Sequence, residues 1–340
     1  MSGVIKLKTL SEHLGLTEGT VSRALNDYPD ISAKTRERVR DAARELGYKP
    51  NSNARRLAKG IAECVGFVLP ASESHFSEPF LGELLDGLTD ALSKRNWDLT
   101  VSVARSSDSE LDIIDRLIRS GRVSGLIVMR THTVDGRIEF LKKSGTPFVA
   151  HGRTADPDGY AWLDIDNEQA FVDAVAHLHA LGHHRIAHIG GHEAFNFARL
   201  RRLGYRRGLA DHGIDYRADY DVSSEMSDQA GNEAMQRLLS LDEMPTAIVC
   251  VSDMVALGAM QAIRAAGLRP GREISVIGYD GVPQGEHSDP PLTTMAQPLT
   301  RAGRRLGDML LAVIDGADPQ DNQELWRAEL VRRNTDGPPP

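Results

Sequence analysis

A chain of 340 residues with 41% apolar content is long enough for two or three domains and a substantial core. No run of about 18 or more apolar residues is present to span a membrane, and the opening "MSGVIKLKTLSEHLG" lacks the apolar stretch and cleavage site of a secretory signal, so a cytoplasmic protein is expected. The net charge of −8 is divided: residues 1–60 hold 12 Lys/Arg against 7 Asp/Glu, while the other 280 hold 28 against 41, which assigns a polyanionic partner to a basic head and none to an acidic body. Cys64 and Cys250 lie in separate apolar runs without metal spacing and read as buried thiols in a reducing compartment.

In chain order, Leu7, Leu10 and Leu14 mark a first helix closed by Gly15. Thr17 is placed to cap a second within "LTEGTVSRALN", without a full capping box because Thr20 stands three residues on. Val21, Ala24 and Leu25 face inward and leave Gly19, Thr20, Ser22, Arg23 and Asn26 outside. A solvated helix face ordinarily carries Glu and Lys at pairing distance. This one carries small hydroxyls, one Arg, one Asn and a Gly that costs about 1 kcal/mol of helix stability. "NDYPD" turns the chain, Ser32 caps a third helix, and Val39, Ala42, Ala43 and Leu46 give that helix its inner face before Gly47 ends it. The pattern is a helix-turn-helix, whose second helix enters the major groove with small, hydrogen-bonding residues outward. The unusual face is read as the DNA-reading face.

"YKPNSNARRLAKG" follows, with Ala54, Leu57 and Ala58 on one side and Arg55, Arg56 and Lys59 around them. It is too short to hold as an isolated helix. Two readings stand here: a flexible linker, or a hinge helix that folds on DNA and wedges Leu57 into the minor groove.

Beyond it, the apolar runs "CVGFVL", "LIVM", "PFVA", "RIAHIG", "TAIVCV" and "ISVIGY" alternate with helical patterns at 80–94, 108–120, 166–181, 198–212, 228–239 and 253–266. Short buried strands between helices imply parallel sheets covered on both faces. The units are too many for one ordinary sheet, so two doubly wound lobes are expected, with a ligand cleft between them at the carboxyl ends of the strands.

The head sequence "IKLKTLSEHLGLTEGTVSRALNDYPDISAKTRERVRDAARELGYKPNSNARRLAKG" resembles that of the lactose/galactose-repressor (LacI/GalR) family of transcriptional regulators. The likeness continues in family order through "DN" at 166–167, "LGHHRIAHIGG" at 181–191, "RRLGY" at 201–205, "SDMVALGAMQAI" at 252–263, "ISVIGYDG" at 274–281 and "PPLTTMAQP" at 290–298. It implies an all-α helix-turn-helix head on an α/β, type I periplasmic-binding-protein-like body, with crossings between lobes near 161–163, 290–298 and 320–324. The implied boundaries are 1–48 for the DNA-binding domain, 49–60 for the hinge and 61–335 for the effector-binding and dimerisation domain. Its N-lobe would take about 61–162 and 298–322, and its C-lobe about 163–292 and 323–335. "QELWRAELVRR" would be a last strand and the end of the chain, 336–340, a disordered tail.

The resemblance further implies a homodimer that binds a pseudo-palindromic DNA operator and a small-molecule effector. DNA contacts are expected from Leu7, Lys8, Thr17, Glu18, Gly19, Thr20, Ser22, Arg23, Asn26, Ser32, Thr35, Tyr48, Asn51, Ala54 and Leu57, with Glu18 and Gly19 at the discriminating positions. Effector contacts are expected from Arg201 and Asp280, which suit the vicinal hydroxyls of a polyol through charge-assisted hydrogen bonds. His151, Phe197, Asp253, Gln297, Met226 and Phe80 are expected with them. A mono- or disaccharide is the favoured effector; a purine, nucleoside or other metabolite is the alternative.

Two other classes fit the residues poorly. "HLHALGHHRIAHIGGH" concentrates histidines, but His177 and His179 are two apart on a helix and point away from each other, and no H-E-x-x-H occurs. No nucleophile elbow or phosphate-binding loop is present either, so no enzyme, metal or cofactor is expected. A transporter-type solute-binding protein would share the body's fold but would have no use for a basic head.

Overall fold

The structure is a computed structural model and describes residues 5–48, 62–69, 79–105 and 109–340. It divides into two compact units, Met1–Glu63 and Cys64–Pro340.

The head contains α1 (Leu7–Leu14), α2 (Glu18–Leu25) and α3 (Ala33–Leu46). The Thr17 hydroxyl accepts the Thr20 N–H at 3.1 Å and Ser32 accepts that of Thr35 at 3.2 Å, so both expected caps form. Gly15 and Gly47 end α1 and α3 in the left-handed conformation at φ 65° and 67°. Leu10, Leu14, Val21, Ala24, Val39, Ala42 and Ala43 make the core, with Leu7, Leu25 and Tyr48 packed against it. Asn51, Ala54 and Leu57 of the expected hinge lie outside the described residues.

In the body, the first sheet runs in the order β11 (Gln323–Trp326), β5 (Ala161–Ile165), β4 (Phe148–His151), β3 (Gly125–Met129), β1 (Cys64–Leu69), β2 (Asp98–Val103), all parallel. Helices α4 (Pro79–Ser93) and α12 (Leu299–Ile314) bury one face, α5 (Glu110–Arg119) and α6 (Gly136–Ser144) the other. The second sheet runs β12 (Glu329–Val331), β10 (Thr293–Ala296), β9 (Ser275–Asp280), β8 (Ala247–Cys250), β6 (Ile186–Gly190), β7 (Asp221–Ser223), with β12 alone antiparallel. Its faces are covered by α7 (Asn167–Ala180) and α8 (Asn196–Asp211) on one side and α9 (Asp228–Leu239) and α10 (Asp253–Ala265) on the other. A short α11 (Pro283–Glu286) follows β9. Successive strand residues alternate between the two cores, Ile186 to one and Ala187 to the other, which is why the central strands are largely apolar.

The chain crosses between sheets after β5, after β10 and after β11, and three expectations are corrected. The first crossing lies at 166, beyond 161–163, because residues 161–163 pair with β4 and 162–165 with β11, so that all of β5 stays in the first lobe. "QELWRAELVRR" is two strands: Gln323–Trp326 pairs with β5, and Glu329–Val331 with β10 in the other sheet. The last crossing therefore falls at 327–328, and 323–326 belong to the first lobe. The expected disordered tail is packed. Asp336 accepts the Thr293 hydroxyl at 2.6 Å and lies 2.7 Å from His177 Nε2, while the Gly337 carbonyl accepts the Ser275 hydroxyl at 2.9 Å. Buried polar partners hold a segment whose Gly and Pro content suggested none.

Gly204 sets how close α7 and α8 come: a Cβ there would lie 2.0 Å from the Glu168 carbonyl oxygen, with no flexible atom to give way. Gly204→Ala is expected to destabilise the body by about 3 kcal/mol or more in urea unfolding. Gly82, on α4 with open space around it, is the control. Gly82→Ala should be neutral or stabilising by up to about 1 kcal/mol.

Candidate functional site

The carboxyl ends of the parallel strands from both sheets line a cavity between the lobes, at the position where doubly wound folds take small ligands. From the first lobe come Phe80 on α4, Met129–Thr131 at the end of β3, His151 and Gly152 at the end of β4, and Asp164 and Ile165 on β5. From the second come Asn167, Phe197, Arg201, Met226, Ser252, Asp280 and Gln297. Seven of the eight expected effector residues thus line one cavity.

Arg201 is buried with its guanidinium carbon 3.6 Å from the Tyr279 ring centroid and 4.7 Å from that of Phe197. Its Nε donates to Asn167 Oδ1 at 2.8 Å and its NH1 to the Val251 carbonyl, and it forms no salt bridge with a carboxylate among the described residues. Asn167 is a four-way junction. Its amide also accepts the Tyr279 hydroxyl at 3.1 Å and donates to Asp164 Oδ1 at 3.2 Å and the Ile165 carbonyl at 2.7 Å. Asp280 accepts Gln297 Nε2 at 2.7 Å. It holds φ at 117°, and Arg130 holds 51°, backbone values unusual for residues with a side chain. Strain of this kind collects at functional sites.

Burial sets the charge states. It pushes His151 down to about 4, reinforced by the Arg201 charge, so the imidazole is neutral. Its Nε2 is buried without a hydrogen-bond partner among the described residues, a cost the protein carries unless something in the cavity bonds to it. Burial likewise pushes Asp164 up to about 7 against the opposing charges of Arg153 and Arg201.

Asp253 is the exception among the expected contacts. It is fully buried and absent from the cavity wall. Its Oδ2 accepts the N–H groups of Gly281 and Val282, both at 2.8 Å, and its Oδ1 the Thr294 hydroxyl at 2.6 Å. These bonds occupy the carboxylate and make Asp253 the anchor of the turn that presents Asp280. Gly278 leaves room for it: a Cβ there would lie 2.2 Å from Asp253 Oδ1.

The residues that sequence reasoning missed are Met129, Arg130, Thr131, Gly152, Asp164, Ile165, Asn167 and Ser252. Most continue strands that were recognised, so the strand-end rule would have found them.

In the head, Thr17, Glu18, Gly19 and Arg23 are exposed, and Thr20, Ser22 and Asn26 half-buried. The Asn26 amide donates to the Ser22 carbonyl at 2.8 Å, and Arg23 pairs with Asp30 while lying 5.4 Å from the Tyr28 ring centroid. Lys8 is exposed, Ser32 and Thr35 bond to each other through their hydroxyls, and Leu7 and Tyr48 serve mainly to pack.

The histidine-rich run is structural at three positions. His177 meets Asp336, His183 lies between Thr246 and Gly337, and buried His188 meets Asp221 at 2.9 Å.

A helix-turn-helix unit joined to a two-lobed body with a cleft cavity defines a ligand-responsive DNA-binding regulator. Residues 12–51 match the model of bacterial regulatory proteins of the lacI family, and residues 175–335 that of the periplasmic binding protein-like domain. The HTH-type transcriptional regulator AglR of Rhizobium meliloti (strain 1021) is 41% identical, over 99% of this chain and 95% of that one. The solved lac repressor dimer bound to operator and the anti-inducer ONPF superposes with a TM-score of 0.84 at 28% identity, covering 98% of this chain and 99% of the other. The CelR–cellobiose complex gives a TM-score of 0.75 at 29% identity, covering 97% and 99%. The chain belongs to the LacI family of transcriptional regulators, a family of DNA-binding proteins and not of enzymes. No helix among the described residues is long and apolar enough to cross a membrane.

The raised Asp164 pKa carries a pH signature. A carboxyl that holds its proton to about 7 when folded but only to about 3.9 when unfolded makes the folded state the better proton binder between those values. Stability from this group therefore falls as pH rises toward 7 and levels off above it, with a slope no steeper than about 1.4 kcal/mol per pH unit. Thermal unfolding of wild type and Asp164→Asn from pH 5 to 8 should show the difference moving in favour of the variant as pH rises.

Proposed function

We propose that this regulator is a cytoplasmic, homodimeric repressor of genes for carbohydrate uptake or breakdown, and that its effector is a mono- or disaccharide held in the cavity. The observation that carries the reading is Arg201: a buried guanidinium backed by Tyr279 and Phe197, in the same cavity as the Asp280 carboxylate. Such a donor and acceptor suit vicinal hydroxyls, and Phe80, Phe197 and Met226 supply apolar surface for the faces of a sugar ring. Cellobiose in the complex of the CelR relative supports the same class. Closure of the lobes on the sugar would shift the dimer between states of different operator affinity. On DNA, α2 of each head would lie in a major groove, and residues 49–60 would form hinge helices with Leu57 at the centre of a pseudo-palindrome.

Isothermal titration against a panel of mono- and disaccharides, with nucleosides alongside, tests the effector class. The cognate sugar should bind wild type, and Arg201→Ala should lose about 2–4 kcal/mol of affinity through the groups left unpaired, with operator binding nearly intact. An unchanged dissociation constant in the variant places the effector elsewhere; a nucleoside as the tight ligand overturns the sugar reading.

The head has its own test. Exchanging Glu18 and Gly19 should alter which operator is selected from a randomised library without unfolding the head, since an acidic side chain at a base-reading site only accepts, as from cytosine N4. Selection of the same sequences by both proteins would remove these residues from base reading.

A further inference from the structure

Beside the cavity, the two lobes are stitched together by segments that belong to neither sheet. The Thr133 N–H donates to the Ala194 carbonyl at 2.9 Å and the Asn196 N–H to the Thr131 carbonyl at 3.0 Å, which pairs His132 with Phe195 in an antiparallel bridge. Residues 131–133 leave the first-lobe strand β3, and 194–196 lead into the second-lobe helix α8. The Asn196 side chain is buried and donates from Nδ2 to the Arg153 carbonyl at 2.8 Å, the same oxygen that accepts the Thr131 hydroxyl at 3.0 Å. One second-lobe residue is thus bonded to two first-lobe loops.

The side chains of this seam form a continuous stack. The His132 ring lies on Phe195 with centroids 5.1 Å apart and planes at 22°, and Phe195 lies on Phe197 at 5.5 Å and 20°. Phe197 then stands under the Arg201 guanidinium at 4.7 Å. The series runs from a first-lobe loop to a charged group in the cavity wall. None of His132, Phe195 and Asn196 lines the cavity.

We propose that Phe195, with His132 and Asn196, is the latch that couples occupancy of the cavity to closure of the lobes. The coupling to a sugar rests on the function proposed above; the latch itself rests on the seam. A ligand bonded to Arg201 fixes the guanidinium over Phe197, Phe197 backs Phe195, and Phe195 holds His132 and the first-lobe loop in place. Hydrogen bonds weaken steeply with stretch and misalignment, so a rotation of the lobes that widens the cleft breaks the seam as a unit. The latch is therefore a two-state element that the ligand biases, as coupling requires. Phe195, His132 and Asn196 are positioning residues, acting through Phe197 and Arg201.

Hydrogen exchange on the full-length protein reads the seam directly, because amide protection follows the local opening equilibrium. In Phe195→Ala, peptides covering 131–135 and 193–198 should exchange roughly fivefold faster than in wild type, the scale of one lost aromatic stack. Peptides from β6 and β8 should be unchanged. Saturating cellobiose, the probe, should slow the seam in wild type and do so much less in Phe195→Ala, with its dissociation constant raised by a similar factor. Phe195→Leu, which keeps apolar volume and loses the stack, stands in if the alanine variant folds poorly, and should show the same pattern. Equal seam exchange in wild type and both variants overturns the latch whatever cellobiose does. Equal slowing of the seam by cellobiose in wild type and variants overturns the coupling, while faster seam exchange in the variants with no effect of cellobiose in any protein upholds the stack as what holds the seam and counts against cellobiose as effector.

Discussion

Asn167 stands at the first turn of α7, one residue past the first crossing between lobes, and its buried amide joins Asp164 and Ile165 of the first lobe to Arg201 and Tyr279 of the second. Both its donor and its acceptor ends are used, which is what a buried amide requires. The cavity depends on this junction. Arg201 brings its guanidinium into a site where no carboxylate among the described residues bonds to it, and its bonds to the Asn167 side chain and the Val251 carbonyl, with the Tyr279 and Phe197 rings, offset the loss of water. An apolar residue at position 167 would leave the guanidinium, the phenol and Asp164 each short of a partner.

The walls around that junction are held by charges that do not line the cavity. Arg137 donates to the Met129 and Arg130 carbonyls at 3.0 and 3.1 Å while pairing with Asp135 and Glu110, and Asp135 accepts the His132 N–H at 3.0 Å. The loop after β3 is thereby fixed from behind, Arg130 at positive φ included. Asp253 does the corresponding work in the second lobe, gripping the turn after β9 that sets Asp280. A buried carboxylate placed behind a turn and a carboxylate presented by it have different roles, and these two reside in neighbouring motifs.

Three short crossings join the lobes, and Ile165 and Trp326 of the first lobe pack into the core of the second. Groups from opposite lobes also meet in the cavity and in the seam of residues 131–133 with 194–196.

Much of this architecture was legible in the residues alone, where the determining physics is local. The caps at Thr17 and Ser32, the left-handed glycines at 15 and 47 and the periodicity of Leu10, Leu14, Val21 and Ala24 specify the head within a few residues of each other. Strands such as "AIVC" announced themselves because burial on both faces makes them apolar throughout. Arg201 and Asp280 were recognisable through family motifs, and the fold brings them to one cavity. The three-dimensional structure decided what depends on distant partners. β11 and β12 are one apolar-polar run in sequence and are separated only because their neighbours, β5 and β10, lie in different sheets. The tail has the composition of a loop and is ordered by Thr293, Ser275 and His177, residues far away in the chain. Asp253 and Asp280 carry the same side chain, and only the fold, by spending the bonds of one on Gly281, Val282 and Thr294, decides which of them faces the cavity.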